Sequence, residues 1–154
     1  MERRGFPLET TLTVGKLLFS GTLDAFPEIR WIFAHGGGTV PYLVGRWRQI
    51  YDVSEENRAN VSGPPGEILR RVRYDSLVYD CRAVAYLVEQ MGADRVLLGS
   101  DYPYDMTPRD PVGDVRGAGL GDSEEGRVLA GNAEALFGTH SDSSSSPGGG
   151  SAGR

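Results

Sequence analysis

The chain has 154 residues, and its 16 Lys and Arg against 21 Asp and Glu give a formal net charge of −5 at pH 7, which argues against nucleic acid or an anionic membrane as partner. No apolar stretch is long enough to span a bilayer, and the opening Met1-Glu2-Arg3-Arg4-Gly5 lacks the apolar core of a secretory leader. The lone Cys81 excludes an internal disulfide and fits a reducing, cytoplasmic setting.

Residues 7–23 read as a helix, with Pro7 in the first turn, Glu9 at the positive dipole end and Leu8, Leu12, Leu17, Leu18 and Phe19 as a partial apolar face. Arg30-Trp31-Ile32-Phe33-Ala34 reads as a buried strand ending at His35. After Gly36-Gly37-Gly38, a helix is expected from about Pro41 to Tyr51, then a loop over 52–66 and a short helix over 67–72. Ser76-Leu77-Val78-Tyr79 reads as a second strand ending at Asp80. A helix over 82–91 follows, with Val84, Leu87, Val88 and Met91 on one face and Gly92 as its stop. Arg95-Val96-Leu97-Leu98 is a third strand, opening into Gly99-Ser100-Asp101. Residues 104–122 form a long loop with room for one helical turn. Two short helices, about 123–130 and 133–137, close the domain, and Asn132 is placed to cap the second. The Ser- and Gly-rich residues 139–154 are expected to form a disordered tail, leaving 1–138 as one domain.

Strands alternating with helices indicate an α/β fold with parallel strands. A self-contained eight-stranded barrel takes roughly 200 residues or more, so a complete one is excluded. In such folds, functional side chains sit where strands end. His35, Asp80 and Asp101 lie at those points. His35 precedes three glycines that let a ligand approach the backbone, and it could equally be held in a hydrogen-bond network. An esterase oxyanion hole would need a G-x-S-x-G elbow, which is absent, and the glycines lack phosphate-loop spacing. Asp101 could bind a metal, take a proton, or serve as a turn residue. Helix capping accounts for Asp80. Arg46 could hold a carboxylate with two parallel hydrogen bonds or be a solvated helix residue. Cys81 reads as a buried apolar filler. Gly117-Ala118-Gly119-Leu120-Gly121 follows no strand and so is a loop.

Four stretches together are distinctive: Ala34-His35-Gly36-Gly37-Gly38-Thr39-Val40-Pro41-Tyr42 with Gly45-Arg46; Tyr74-Asp75-Ser76-Leu77-Val78-Tyr79-Asp80; Asp94-Arg95-Val96-Leu97-Leu98-Gly99-Ser100-Asp101-Tyr102-Pro103; and Ala130-Gly131-Asn132-Ala133. In this order they resemble the amidohydrolase-related family, nearest its aminocarboxymuconate-semialdehyde decarboxylase branch. The resemblance implies a distorted metal-dependent (β/α)8 TIM barrel, of which this chain would carry about strands six to eight. It implies one divalent metal, zinc or manganese, and decarboxylation, hydration or hydrolysis of small carboxylic acids. It makes His35 the residue that activates a water or handles protons, Asp101 a metal ligand and catalytic residue, and Arg46 a substrate-carboxylate binder, reaching across a dimer interface. The family's His-x-His pair and strand-five histidine have no counterpart here. Two expectations follow: the C-terminal portion of a decarboxylase or hydrolase, with the metal not held by this chain alone, or an inactive piece that docks with a separate N-terminal half-barrel. The expected partners are a small carboxylate and either a second copy or that half-barrel.

Overall fold

The computed structural model describes residues 5–138; the expected tail and His140 lie outside them. Helix α1 (Phe6–Phe19) begins with Pro7 and Glu9 in its first turn. The chain turns at Gly21 (φ 76°) into a separate short α2 (Thr22–Ala25), so the single helix expected to residue 23 is divided. Strand β1 (Ile32–Phe33) is the middle of the expected 30–34 run. Helix α3 (Val40–Val53) then buries Val40, Val44 and Trp47. The expected loop contains a short α4 (Glu55–Arg58), whose cap Ser54 accepts from the Asn57 amide, and α5 starts early (Pro65–Leu69).

The second strand departs most from expectation. β2 is Arg73–Asp75, not residues 76–79. The apolar residues that suggested a strand instead form the loop beyond it, with Leu77 buried there. Asp75, not Asp80, ends the strand. Asp80 is the cap of α6 (Cys81–Met91), its Oδ1 accepting from the Arg82 and Ala83 amides at 2.8 and 3.3 Å. Strand β3 is Val96–Leu97. Helix α7 (Pro111–Arg116) occupies the long loop, with Asp110 as its cap. Then α8 (Asp122–Gly126) runs through a π-helical turn over 127–131 into α9 (Asn132–Phe137) without a break. Cys81 is half-buried at the start of α6, against the backbone at Gly117.

The sheet is parallel, in the order β1-β2-β3, with Phe33 beside Tyr74 and Tyr74 beside Val96. Strand side chains alternate between faces, so these three share one face. They pack there with Val14 and Leu18 of α1, Ile68 and Leu69 of α5, and the apolar stripe of α6. Full burial of each such side chain contributes roughly 1.5–3 kcal/mol. Tyr74 is wholly buried, and its hydroxyl donates to the Leu69 carbonyl at 2.9 Å.

Asn132 does not cap α9. Its amide nitrogen donates to the carbonyls of Ala93 and Val96, both at 2.7 Å, tying the last helix to the start of β3.

Candidate active site

The site forms where the three strands end. After β1 the chain enters a tight turn, with φ of 57°, 61°, 75° and 69° at His35, Gly36, Gly37 and Gly38. Glycine is required in this run. A Cβ on Gly36 would lie 2.6 Å from Val78 Cγ1, and one on Gly38 would collide with the Pro7 carbonyl oxygen. Asp75 braces the turn from the neighbouring strand: its Oδ1 accepts from the Gly36 amide at 2.9 Å and the Leu77 amide at 3.1 Å. Ser76 does the same toward β3, its amide donating to the Leu97 carbonyl and its hydroxyl accepting from the Gly99 amide at 3.2 Å. These two residues fix the spacing of the tips that carry His35 and Asp101.

Three non-glycine residues have positive φ among the described residues: His35 (57°), Tyr79 (58°) and Asp101 (57°). Left-handed backbone costs an ordinary residue about 1–2 kcal/mol, and such strain gathers at functional sites. All three line one cavity of about 600 Å³, together with apolar Phe6, Leu77 and Met106 and with Tyr104 and Asp105. His35 Nδ1 is buried there without a hydrogen-bond partner. Burial, the charges of Asp101 and Asp75, and a hydrogen bond to Asp101 raise the Tyr79 phenol above its ordinary pKa, so it stays a donor at neutral pH.

Of the sequence-derived candidates, His35 and Asp101 therefore come together. Arg46 does not line the cavity: it is exposed on α3, and its guanidinium has no partner among the described residues. Tyr79, Asp75 and Ser76 were missed as site residues. The signal available for Asp75 was a carboxylate closing a short polar-flanked strand; nothing in the sequence marks Tyr79 as left-handed.

A divalent metal, implied by the resemblance, can be tested against these side chains. Among the described residues no three His, Cys, Asp or Glu side chains converge to hold one. The Asp101 carboxylate and the unpartnered His35 nitrogen are too few, so the described residues do not fit a metal by themselves.

The amidohydrolase family model matches residues 4–139, and the chain belongs to that family. It is 36% identical over 103 residues to the 2-amino-3-carboxymuconate-6-semialdehyde decarboxylase of Dictyostelium discoideum, covering 66% of this chain and 29% of that protein. The solved 5-carboxyvanillate decarboxylase of Sphingomonas paucimobilis is similar at 27% identity and a TM-score of 0.76, covering 86% of this chain and 41% of that one. The 5-carboxyvanillate decarboxylase of Novosphingobium aromaticivorans, solved with manganese, shares the fold at 24% identity and a TM-score of 0.75, covering 86% and 40%. The chain thus spans well under half the length of these relatives. No helix among the described residues is long and apolar enough to cross a membrane.

Proposed function

We propose that this chain supplies one side of the active site of a decarboxylase acting on small carboxylic acids, and that its β/α units are strands six to eight of the family barrel. The observation that carries this reading is the meeting of His35 and Asp101 in one cavity, each in the segment that follows a parallel strand and each with positive φ. In this reading His35 delivers or accepts a proton at the reacting carbon. Asp101 would contribute one carboxylate to a divalent metal, zinc or manganese, if other ligands came from outside the described residues. The apolar Phe6, Leu77 and Met106 suit an unsaturated or aromatic skeleton. Arg46, exposed and outside its own cavity's lining, would hold a substrate carboxylate in the cavity of a second copy. The free thiol of Cys81 supports a cytoplasmic setting.

The test co-expresses the chain with an N-terminal half-barrel bearing a His-x-His pair and follows CO2 release from 5-carboxyvanillate and related acids. The expected result is turnover by the pair, reduced by about a thousandfold or more in Asp101→Ala and His35→Ala. Arg46→Met is expected mainly to raise KM. A pair that assembles but releases no CO2 overturns the decarboxylase reading and leaves a docking role.

A further inference from the structure

The His35 ring is not held by a partner at its buried nitrogen. Nδ1 makes no hydrogen bond, so the direction of the ring follows from the backbone of the turn that carries it. That turn closes on itself, the Gly38 amide donating to the His35 carbonyl at 2.8 Å. It is then gripped from two sides. Asp75 holds the Gly36 amide from β2. Thr11, in the second turn of α1, holds the far end: its Oγ1 accepts from the Thr39 amide at 2.8 Å and lies 3.0 Å from the Thr39 hydroxyl oxygen. The same Oγ1 donates to the Pro7 carbonyl at 2.7 Å. A hydroxyl has one proton and two lone pairs. Thr11 spends its proton on the Pro7 carbonyl, which can only accept, so the Thr39 hydroxyl donates to Thr11 and every capacity of Thr11 is used. Thr39 thereby gives up its usual role. It precedes α3, where a threonine oxygen ordinarily accepts from a first-turn amide, and it makes no such bond. Thr11 itself is buried, and the contact leaves room only for glycine at 38, where a Cβ would lie 2.5 Å from Thr11 Oγ1.

We propose that Thr11 is a positioning residue for His35: its hydroxyl anchors the end of the turn to α1 and so fixes the direction of the ring at the cavity. The consequence for turnover rests on the proposed decarboxylase reading; the anchoring does not. Thr11 does not line the cavity, so losing its hydroxyl makes His35 reach its working orientation less often without removing a substrate contact.

The experiment has two arms. In the full chain labelled with 15N-histidine at pH 7, the His35 ring resonances are assigned by their loss in His35→Asn. Thr11→Val, which removes the hydroxyl and keeps the branched shape, is expected to move them. Thr11→Ser, which keeps the hydroxyl, is expected to leave them close to the parent's. Unmoved resonances in Thr11→Val overturn the proposal. So does a Thr11→Ser chain that shifts as far as Thr11→Val, because methyl packing then carries the effect. Should Thr11→Val not fold, Thr39→Ala keeps the amide tie and removes only the second hydroxyl; it is expected to move the resonances by a smaller amount, and unmoved resonances there overturn the proposal. In the co-expressed enzyme, Thr11→Val is expected to lower kcat about tenfold with KM unchanged, the size of one hydrogen bond, and Thr11→Ser to restore it. An unchanged kcat in an active Thr11→Val enzyme also overturns it. An inactive co-expressed parent pair, with the His35 resonances moved by Thr11→Val, sinks the decarboxylase reading and upholds the anchoring.

Discussion

Replacing Asn132 by Asp separates two roles that a residue at the start of α9 can have. At a helix cap, Asp and Asn are nearly equivalent, and Asp gains from the helix dipole. In the structure the side chain is instead a buried double donor, 8% exposed, to the carbonyls of Ala93 and Val96. Each bond contributes about 0.5–1.5 kcal/mol net, and each carbonyl left buried and unpaired costs about 1–3 kcal/mol. Asn132→Ala should therefore destabilise by about 3 kcal/mol. Asn132→Asp also points a carboxylate at two carbonyl oxygens, and its cost at pH 7 should reach about 4–5 kcal/mol. A domain of this size has only about 5–15 kcal/mol in total, so the midpoint of urea unfolding should fall sharply. The penalty should also depend on pH. Burial beside the carbonyls raises the folded-state pKa of the new carboxyl, so stability is highest below about pH 4, where the acid can still donate one hydrogen bond. It is lost as pH rises through the raised value. Urea titrations followed by circular dichroism at pH 4 and pH 7 measure this. An Asn132→Asp chain as stable as the parent at pH 7 would refute the reasoning and restore the capping role.

Gly38→Ala should cost about 2–4 kcal/mol in the same assay, because its Cβ meets the Pro7 carbonyl in a left-handed conformation and parts the Thr39 amide from Thr11 Oγ1, now 2.8 Å away. A loss below about 0.5 kcal/mol would mean that the turn after His35 is not held against α1. Asp24 should impose a weak acid sensitivity. Burial tends to raise its pKa, but hydrogen bonds from Ser62 and Arg71 outweigh that and hold the carboxyl below its ordinary value of 3.8. Its contribution, about 1 kcal/mol or less, is present above that value and lost as pH falls through the lowered one. In Asp24→Asn this component of the acid unfolding curve should vanish; a curve identical to the parent's would exclude the ion pair as its source.

Alternating α and β elements and the parallel sheet were legible because long periodic segments such as 82–91 carry an unambiguous apolar stripe. The second strand was not. Arg73-Tyr74-Asp75 shows one buried side chain between two polar ones, whereas Leu77-Val78 has the apolar look of a strand yet serves as loop packing. Three residues are too few for a period to declare itself. His35 and Asp101 stand out as candidates because polar residues follow apolar runs there, and the structure places both on one cavity. Asp75 was hidden by the misplaced strand end, and Asn132 was misassigned because a cap and a buried donor look alike in sequence. Tyr79 depends on a backbone angle that its own side chain does not favour, and neighbours distant in sequence decide that angle.

The Arg30 guanidinium donates to the Leu136 carbonyl at 2.5 Å, across 106 positions of the chain. Together with the Asn132 amide, it makes the end of the sheet opposite the site depend on residues that are synthesised after all three strands. A nascent chain arrested near residue 130 would hold all three strand segments but neither tie, leaving that end unlatched. Acquisition of protease resistance during synthesis should therefore come late and abruptly, when α9 clears the exit tunnel, and not in steps as each β/α unit appears.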